Sequence, residues 1–288
     1  MKKLLFAVFA LLSALSAYSQ YLEAGILVGG ANYVGDLSNN SSTIYLKETK
    51  LAYGGFVRYN INDLFTARLG VTAGKIAGSD ANVNNDQFIR ERNLSVRTNI
   101  LEVALIGEFN VLGYQPNGLY SPFSPYLFAG VAMTSFNPKA RYQGNWIALQ
   151  PLGTEGQGMP GFDSKYSKTT FSIPFGVGVK YALTDKLNIG LELGARATFT
   201  DYLDDVSGAY VSYPELLDGN GPLAAALGNR TGEYKGTEPV IVETGTQRGD
   251  SAKRDWYFVM GLTVSYNFLD NGLMGSRSRS KGRRGCYD

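Results

Sequence analysis

Residues 256–268 read WYFVMGLTVSYNF. Taken with a period of two, Trp256, Phe258, Met260, Leu262, Val264, Tyr266 and Phe268 share one face, and Tyr257, Val259, Gly261, Thr263, Ser265 and Asn267 share the other. One face is large, apolar and bounded by aromatics; the other is small or polar. A water-soluble sheet turns such an apolar face to a core. An outer-membrane strand of roughly 10 residues turns it to lipid, with aromatics at both interfaces. The rest of the chain decides between the two.

Seven further segments carry the same alternation: 22–33, 53–61, 65–76, 99–111, 126–136, 171–183 and 187–199. Segment 126–136 is apolar on both faces, so its phase stays ambiguous. Asn62-Asp63 and Thr184-Asp185-Lys186 are tight turns between alternating runs, a strong hairpin signal. Connections at 62–63, 112–125 and 184–186 are short or moderate, whereas those in between, above all 137–168 and 201–254, are long and polar. Short turns at one end and long loops at the other mark an outer-membrane barrel, and an even strand count leaves both termini on the periplasmic side. The expected fold is all-β: an eight-stranded antiparallel outer-membrane β-barrel over residues 20–269, with long external loops and a periplasmic C-terminal tail at 270–288.

The N-terminus supports export. Lys2 and Lys3 precede an apolar run from Leu4 to Leu15 and a small-x-small site at Ala17-Tyr18-Ser19, the pattern of a signal peptide over residues 1–19.

In the same phases, Glu23, Arg58, Arg68, Glu102, Glu108, Lys180, Glu192 and Arg196 point inward, four acids against four bases. Eight strands enclose a space that side chains can fill. A balanced set of charges there is expected to pair into a lumen ion network. The barrel is therefore read as a plug and not a pore.

Composition excludes several chemistries. The chain has no His, which removes Ser-His and Cys-His nucleophiles and the commonest metal ligand. Removing Lys2 and Lys3 leaves 25 basic residues against 25 acidic, so nucleic acid is an improbable partner. Asp201, Asp204 and Asp205 in TDYLDDVSG could hold a cation or form a hydrogen-bonded turn at the strand rim. Gly29-Gly30 and Gly176/Gly178 lie within strands and read as close packing or bulges, not phosphate loops. A short helix is expected after Pro222. No catalytic constellation, cofactor site or small-molecule substrate site emerges, so the chain is not read as an enzyme.

The tail places Arg277, Arg279, Lys281, Arg283 and Arg284 among Gly and Ser, a composition that forms no core of its own. It also carries Cys286, the only cysteine, which excludes an internal disulfide and makes that thiol a candidate for an intermolecular one in an oxidising compartment.

GGANYVGDL (29–37), TFTDYLDDVSGAYV (198–211), RGDSAKRDWYF (248–258) and the basic tail ending GCYD resemble the PorG family of small outer-membrane barrels of the Bacteroidota type IX secretion system. The resemblance implies a structural subunit without enzymatic activity or cofactor. It also implies outer-membrane lipid as surroundings and, as partners, a periplasmic ring lipoprotein and its partner subunit. The rival expectation is a stand-alone barrel acting as an adhesin or small-solute channel.

Overall fold

The computed structural model describes residues 21–38, 46–83, 86–114 and 122–268. The expected signal peptide and the tail, with Arg277, Arg279, Lys281, Arg283, Arg284 and Cys286, lie outside the described residues.

The strands are β1 (Tyr21–Val34), β2 (Lys50–Asn60), β3 (Phe65–Ser79), β4 (Ser95–Asn110), β5 (Phe123–Tyr142), β6 (Asn145–Ala148), β7 (Thr169–Ala182), β8 (Leu187–Thr198) and β9 (Trp256–Asn267). All pair antiparallel. β4 pairs with β5 and β1 with β9, so eight strands close on themselves and no edge is left open. The ninth, β6, pairs only with the outer end of β5. It folds back through Gln143 (φ 48°) and Gly144 (φ 86°), the two positive φ values of a tight hairpin turn.

The period of two is what the wall obeys. Along β4, Leu101, Val103, Leu105 and Phe109 are exposed while Glu102, Ala104, Ile106 and Glu108 are buried. Ile26, Leu69, Val131, Leu191 and Leu262 extend the exposed apolar surface around the barrel. Water does not tolerate a belt of that size, and a bilayer requires one. Aromatic pairs bound it, with Phe65–Phe109 and Tyr266–Phe268 near the short turns and Phe175–Trp256 towards the long loops. From Tyr266 to Trp256 the strand climbs about 25 Å at a tilt of about 40°, the height of an outer-membrane apolar band.

Strands β3, β4 and β5 run further into the outer loops than their apolar alternation does. Ladder bonds continue past the belt where outward residues are polar, so the hydrophobic pattern fades before the hydrogen bonding stops.

The phase of β5 is set by its neighbour. Tyr126, Phe128, Ala132, Thr134 and Phe136 face inward. Glycines opposite make this feasible: a Cβ on Gly178 would lie 2.4 Å from Tyr126 Cζ, and one on Gly176 2.8 Å from Phe128 Cζ. Pairing is continuous across both glycines, so they make room for rings and form no bulge.

Turns at 61–64 and 183–186 sit at one end with the 111–122 connection. The 35–49, 80–94, 143–168 and 199–255 connections sit at the other. The last contains helices Tyr213–Asn220, Pro222–Gly228 and Thr231–Lys235. Pro222 opens its helix, where a missing N–H costs nothing.

Candidate functional site

The lumen is filled at two levels. Towards the short-turn end, Glu23, Arg58, Arg68, Glu108, Lys180 and Glu192 are all buried and form one connected group. Glu108 is its centre. One of its oxygens lies 3.0 Å from Arg58 Nε and 3.2 Å from Arg68 Nε, and the other accepts from Lys180 Nζ. Arg58 Nη1 reaches Glu23 Oε1 at 2.6 Å, and the Arg68 fork grips Glu192 with Nη1 on Oε2 and Nη2 on Oε1. The Tyr126 hydroxyl donates to Glu192 at 2.8 Å, and Lys180 donates to Asn110 Oδ1 at 3.1 Å. The guanidinium of Arg58 lies 4.2 Å from the Phe56 ring centre, and Lys180 Nζ 4.6 Å from that of Tyr126. Rings and ion pairs together occupy the cross-section.

One step outward, Arg196 Nε lies 3.2 Å from Glu102, and the Tyr257 hydroxyl donates to Glu102 at 2.6 Å. Thr134 links Tyr257 to Ser172. All eight inward charges expected from the alternation thus face the lumen, each beside a charge of opposite sign.

The outer half is closed by the chain itself. Residues 201–208 enter the barrel mouth from the 199–255 connection. Leu203 and Val206 pack there against Ala31, Tyr33, Ile100, Phe136, Ala140, Tyr257 and Val259. Burying a Leu or Val side chain is worth about 1.5–3 kcal/mol, which favours the inserted position. Its backbone is satisfied by the wall: Thr98 Oγ1 donates to Leu203 O at 2.6 Å, and Leu203 N donates to Asp255 Oδ2 at 2.8 Å.

Polar latches then tie the four outer connections together. Arg92 pairs with Asp80 and donates to the backbone oxygens of Asp36 and Arg248. Arg248 in turn pairs with Glu155 at 2.7 Å and donates to the Asp205 and Gly228 oxygens. Asp205, held at φ 67°, accepts from Thr154 and Tyr166. Tyr166 stacks on both Phe136 and Tyr202. Tyr33 Oη lies 2.6 Å from Asp204 Oδ2 and 2.9 Å from Asp255 Oδ1. Its single proton serves one of them, so the second contact needs a protonated carboxyl. Burial accordingly pushes Asp204 and Asp255 well above the usual carboxylate range, assisted by Asp36 for the former and Asp204 for the latter. Burial also raises Asp201 to about 7 and Asp205 to about 6.

Asp204 and Asp205 therefore point to different hydrogen-bond partners. Among the described residues, no group of three or more His, Cys, Asp or Glu is placed to hold a metal ion. Tyr33, Asp80, Arg92, Glu155, Arg248 and Asp255 were not legible as a group from the sequence. Their partners sit up to 222 residues away, and Asp80, Arg92 and Glu155 lie outside the 29–37, 198–211 and 248–258 stretches singled out above.

No curated protein sequence matches the chain. Among solved structures it is similar to Ail, the attachment invasion locus protein of Yersinia pestis, at 9% identity, TM-score 0.40, covering 87% of this chain and 100% of that one. Similar too are Neisserial surface protein A, at 11% identity, TM-score 0.39 and coverage of 87% and 98%, and the outer membrane protein OprG from Pseudomonas aeruginosa, at 13%, 0.38, and 86% and 95%. The barrel assignment rests on the strand pairing itself. Residues 2–221 match the family described as "Domain of unknown function (DUF6089)", and the chain belongs to that family.

Proposed function

We propose that this protein is a sealed outer-membrane barrel that anchors a protein-secretion machine from its periplasmic side. The observation that carries this reading is the double closure of the lumen, by buried ion pairs in one half and by residues 201–208 in the other. A barrel without a passage acts through its faces and its ends. β1 begins and β9 ends at the short-turn end, which is periplasmic in barrels of this kind. On this reading the basic sequence at 270–288, with Cys286, belongs to the periplasmic side.

The likeness to the PorG family points to the type IX machinery, with the periplasmic ring lipoprotein and its partner subunit as the docking surface. Much of the likeness falls on stretches that are used internally: Tyr33, Asp204, Asp205, Arg248 and Asp255 spend their polar groups latching the outer loops. Docking is therefore assigned to the periplasmic turns and to Arg277, Arg279, Lys281, Arg283 and Arg284. Cys286 is proposed to form a disulfide with a periplasmic cysteine, the flanking arginines favouring its thiolate.

The test compares affinity purification of the full chain and of a chain lacking residues 270–288, from native membranes treated with an alkylating agent. The ring lipoprotein should co-purify with the full chain alone, and a high-mass band under non-reducing conditions should vanish in Cys286→Ser. In a planar bilayer the full chain should pass no current. A full chain that brings down no ring lipoprotein, or stepwise conductance, would instead favour the stand-alone adhesin or channel.

A further inference from the structure

On the outer wall, immediately above the apolar belt, cations gather where none is neutralised. Arg97 of β4 stands directly opposite Lys139 of β5, and Lys75 of β3 opposite Asn99 of β4. Like charges directly across a strand pair repel. Among the described residues, none of Lys75, Arg97 and Lys139 makes an ion pair, although Arg68 and Arg92 nearby in the chain do. The Arg97 guanidinium sits 5.4 Å from the ring centre of Trp146, on the β6 hairpin. Lys75, Arg97, Asn99, Lys139 and Trp146 line a polar recess of about 220 Å³.

The same strands carry an apolar groove directly beneath it. Leu69, Leu101, Val103, Val131, Met133 and Phe171 line about 490 Å³ on the lipid-facing surface. Leu101 follows Asn99 on the outward face of β4, and its partner Ser135 lies between Met133 and Asn137 on β5. A cationic recess therefore continues downward into an acyl-sized furrow at the level of the outer interface. Trp146 stands at the rim, where an amphipathic ring favours the headgroup layer.

We propose that this is a binding site for a phosphorylated lipid of the outer leaflet, with its phosphate among Lys75, Arg97 and Lys139 and an acyl chain along Leu101, Val103 and Met133. This inference rests on the membrane reading above but not on the secretion role. An anion at the recess removes the Arg97–Lys139 repulsion, and the furrow supplies the apolar contact that free phosphate lacks. A peptide carboxylate would leave the furrow unused.

The chain has two tryptophans, Trp146 and Trp256, which makes a direct test available. Full-length protein carrying Trp256→Phe is placed in phosphatidylcholine vesicles containing either brominated phosphatidic acid or brominated phosphatidylcholine. Trp146 fluorescence should be quenched selectively by the phosphatidic acid. Adding Lys75→Gln, Arg97→Gln and Lys139→Gln together should reduce the relative affinity about tenfold or more, given the pull of each cation on an anionic lipid. Inorganic phosphate should not reverse the quenching. A heat-modifiable gel shift that survives in the triple variant shows that the barrel is intact. Equal quenching by both lipids, unchanged selectivity in the triple variant, or displacement by inorganic phosphate would each overturn the site. The complementary Trp146→Phe protein separates this failure from failure of the membrane reading: Trp256, in the aromatic belt, should be quenched by both lipids.

Discussion

Replacing Glu108 with Leu should lower the stability of the barrel by about 3–5 kcal/mol, the range for breaking a buried ion pair by removing one partner. The reason is the distribution of counter-charge around that one carboxylate. Arg58 keeps Glu23 and Arg68 keeps Glu192, but Lys180 is left with the Asn110 carbonyl and two aromatic rings. A buried ammonium without an anion is the costly product. Unfolding in detergent, followed by urea titration or by the temperature at which gel mobility changes, should show a large shift. Adding Lys180→Met should recover much of the loss, because replacing both members of a pair by apolar groups is far less harmful than replacing one. Arg196→Leu should be milder, since Glu102 retains the Tyr257 hydroxyl. An unchanged transition in Glu108→Leu would mean that water reaches this level of the lumen and that the barrel is not closed there.

The difference between these two halves of the lumen is also a difference in what a sequence can disclose. A strand with one lipid face and one packed face repeats every two residues, so the position of Glu108 followed from that of Phe109 and Leu105. Segment 126–136 defeated that logic because Tyr126 and Phe128 are as apolar as Leu127. Their direction is decided by absent side chains on β7, at Gly176 and Gly178. The outer plug was hidden for a different reason. Its hydrogen bonds join residues far apart in the chain, 171 between Tyr33 and Asp204 and 156 between Arg92 and Arg248, with no local period to signal them. A loop rich in Asp, Gly and Ser resembles a solvated one until its partners are known. The expectation of long polar external loops was right about their place, but much of the 137–168 and 201–254 stretches is folded, with Leu203, Asp204 and Asp205 buried.

The plug should therefore respond to pH, in a direction opposite to that of most carboxylate contacts. Asp205 is raised to about 6 and Asp201 to about 7, chiefly by burial, and Asp204 and Asp255 are raised as well. Arg248 beside Asp205 and Arg92 near Asp204 pull downward without offsetting that burial. A carboxyl raised in the folded plug relative to the released one favours the folded plug while it is protonated. That contribution is complete below the ordinary carboxylate value of 3.8 and is lost as pH climbs through about 6 to 7. For fully buried Asp205 the loss amounts to about 3 kcal/mol, at about 1.4 kcal/mol per unit. Limited proteolysis of barrels in vesicles reads the change. Residues 234–239 and 243–247 are exposed in the closed plug and should be cut at every pH, which supplies an internal reference. Cutting within 201–208, relative to that reference, should rise from about pH 5 to about pH 8 as the insertion loosens. Asp201→Asn with Asp205→Asn removes the two carboxyls that titrate in this range, so it should flatten much of the rise. Protection of 201–208 that strengthens with pH, or a double variant with the parent profile, would show that Asp201 and Asp205 do not control the plug.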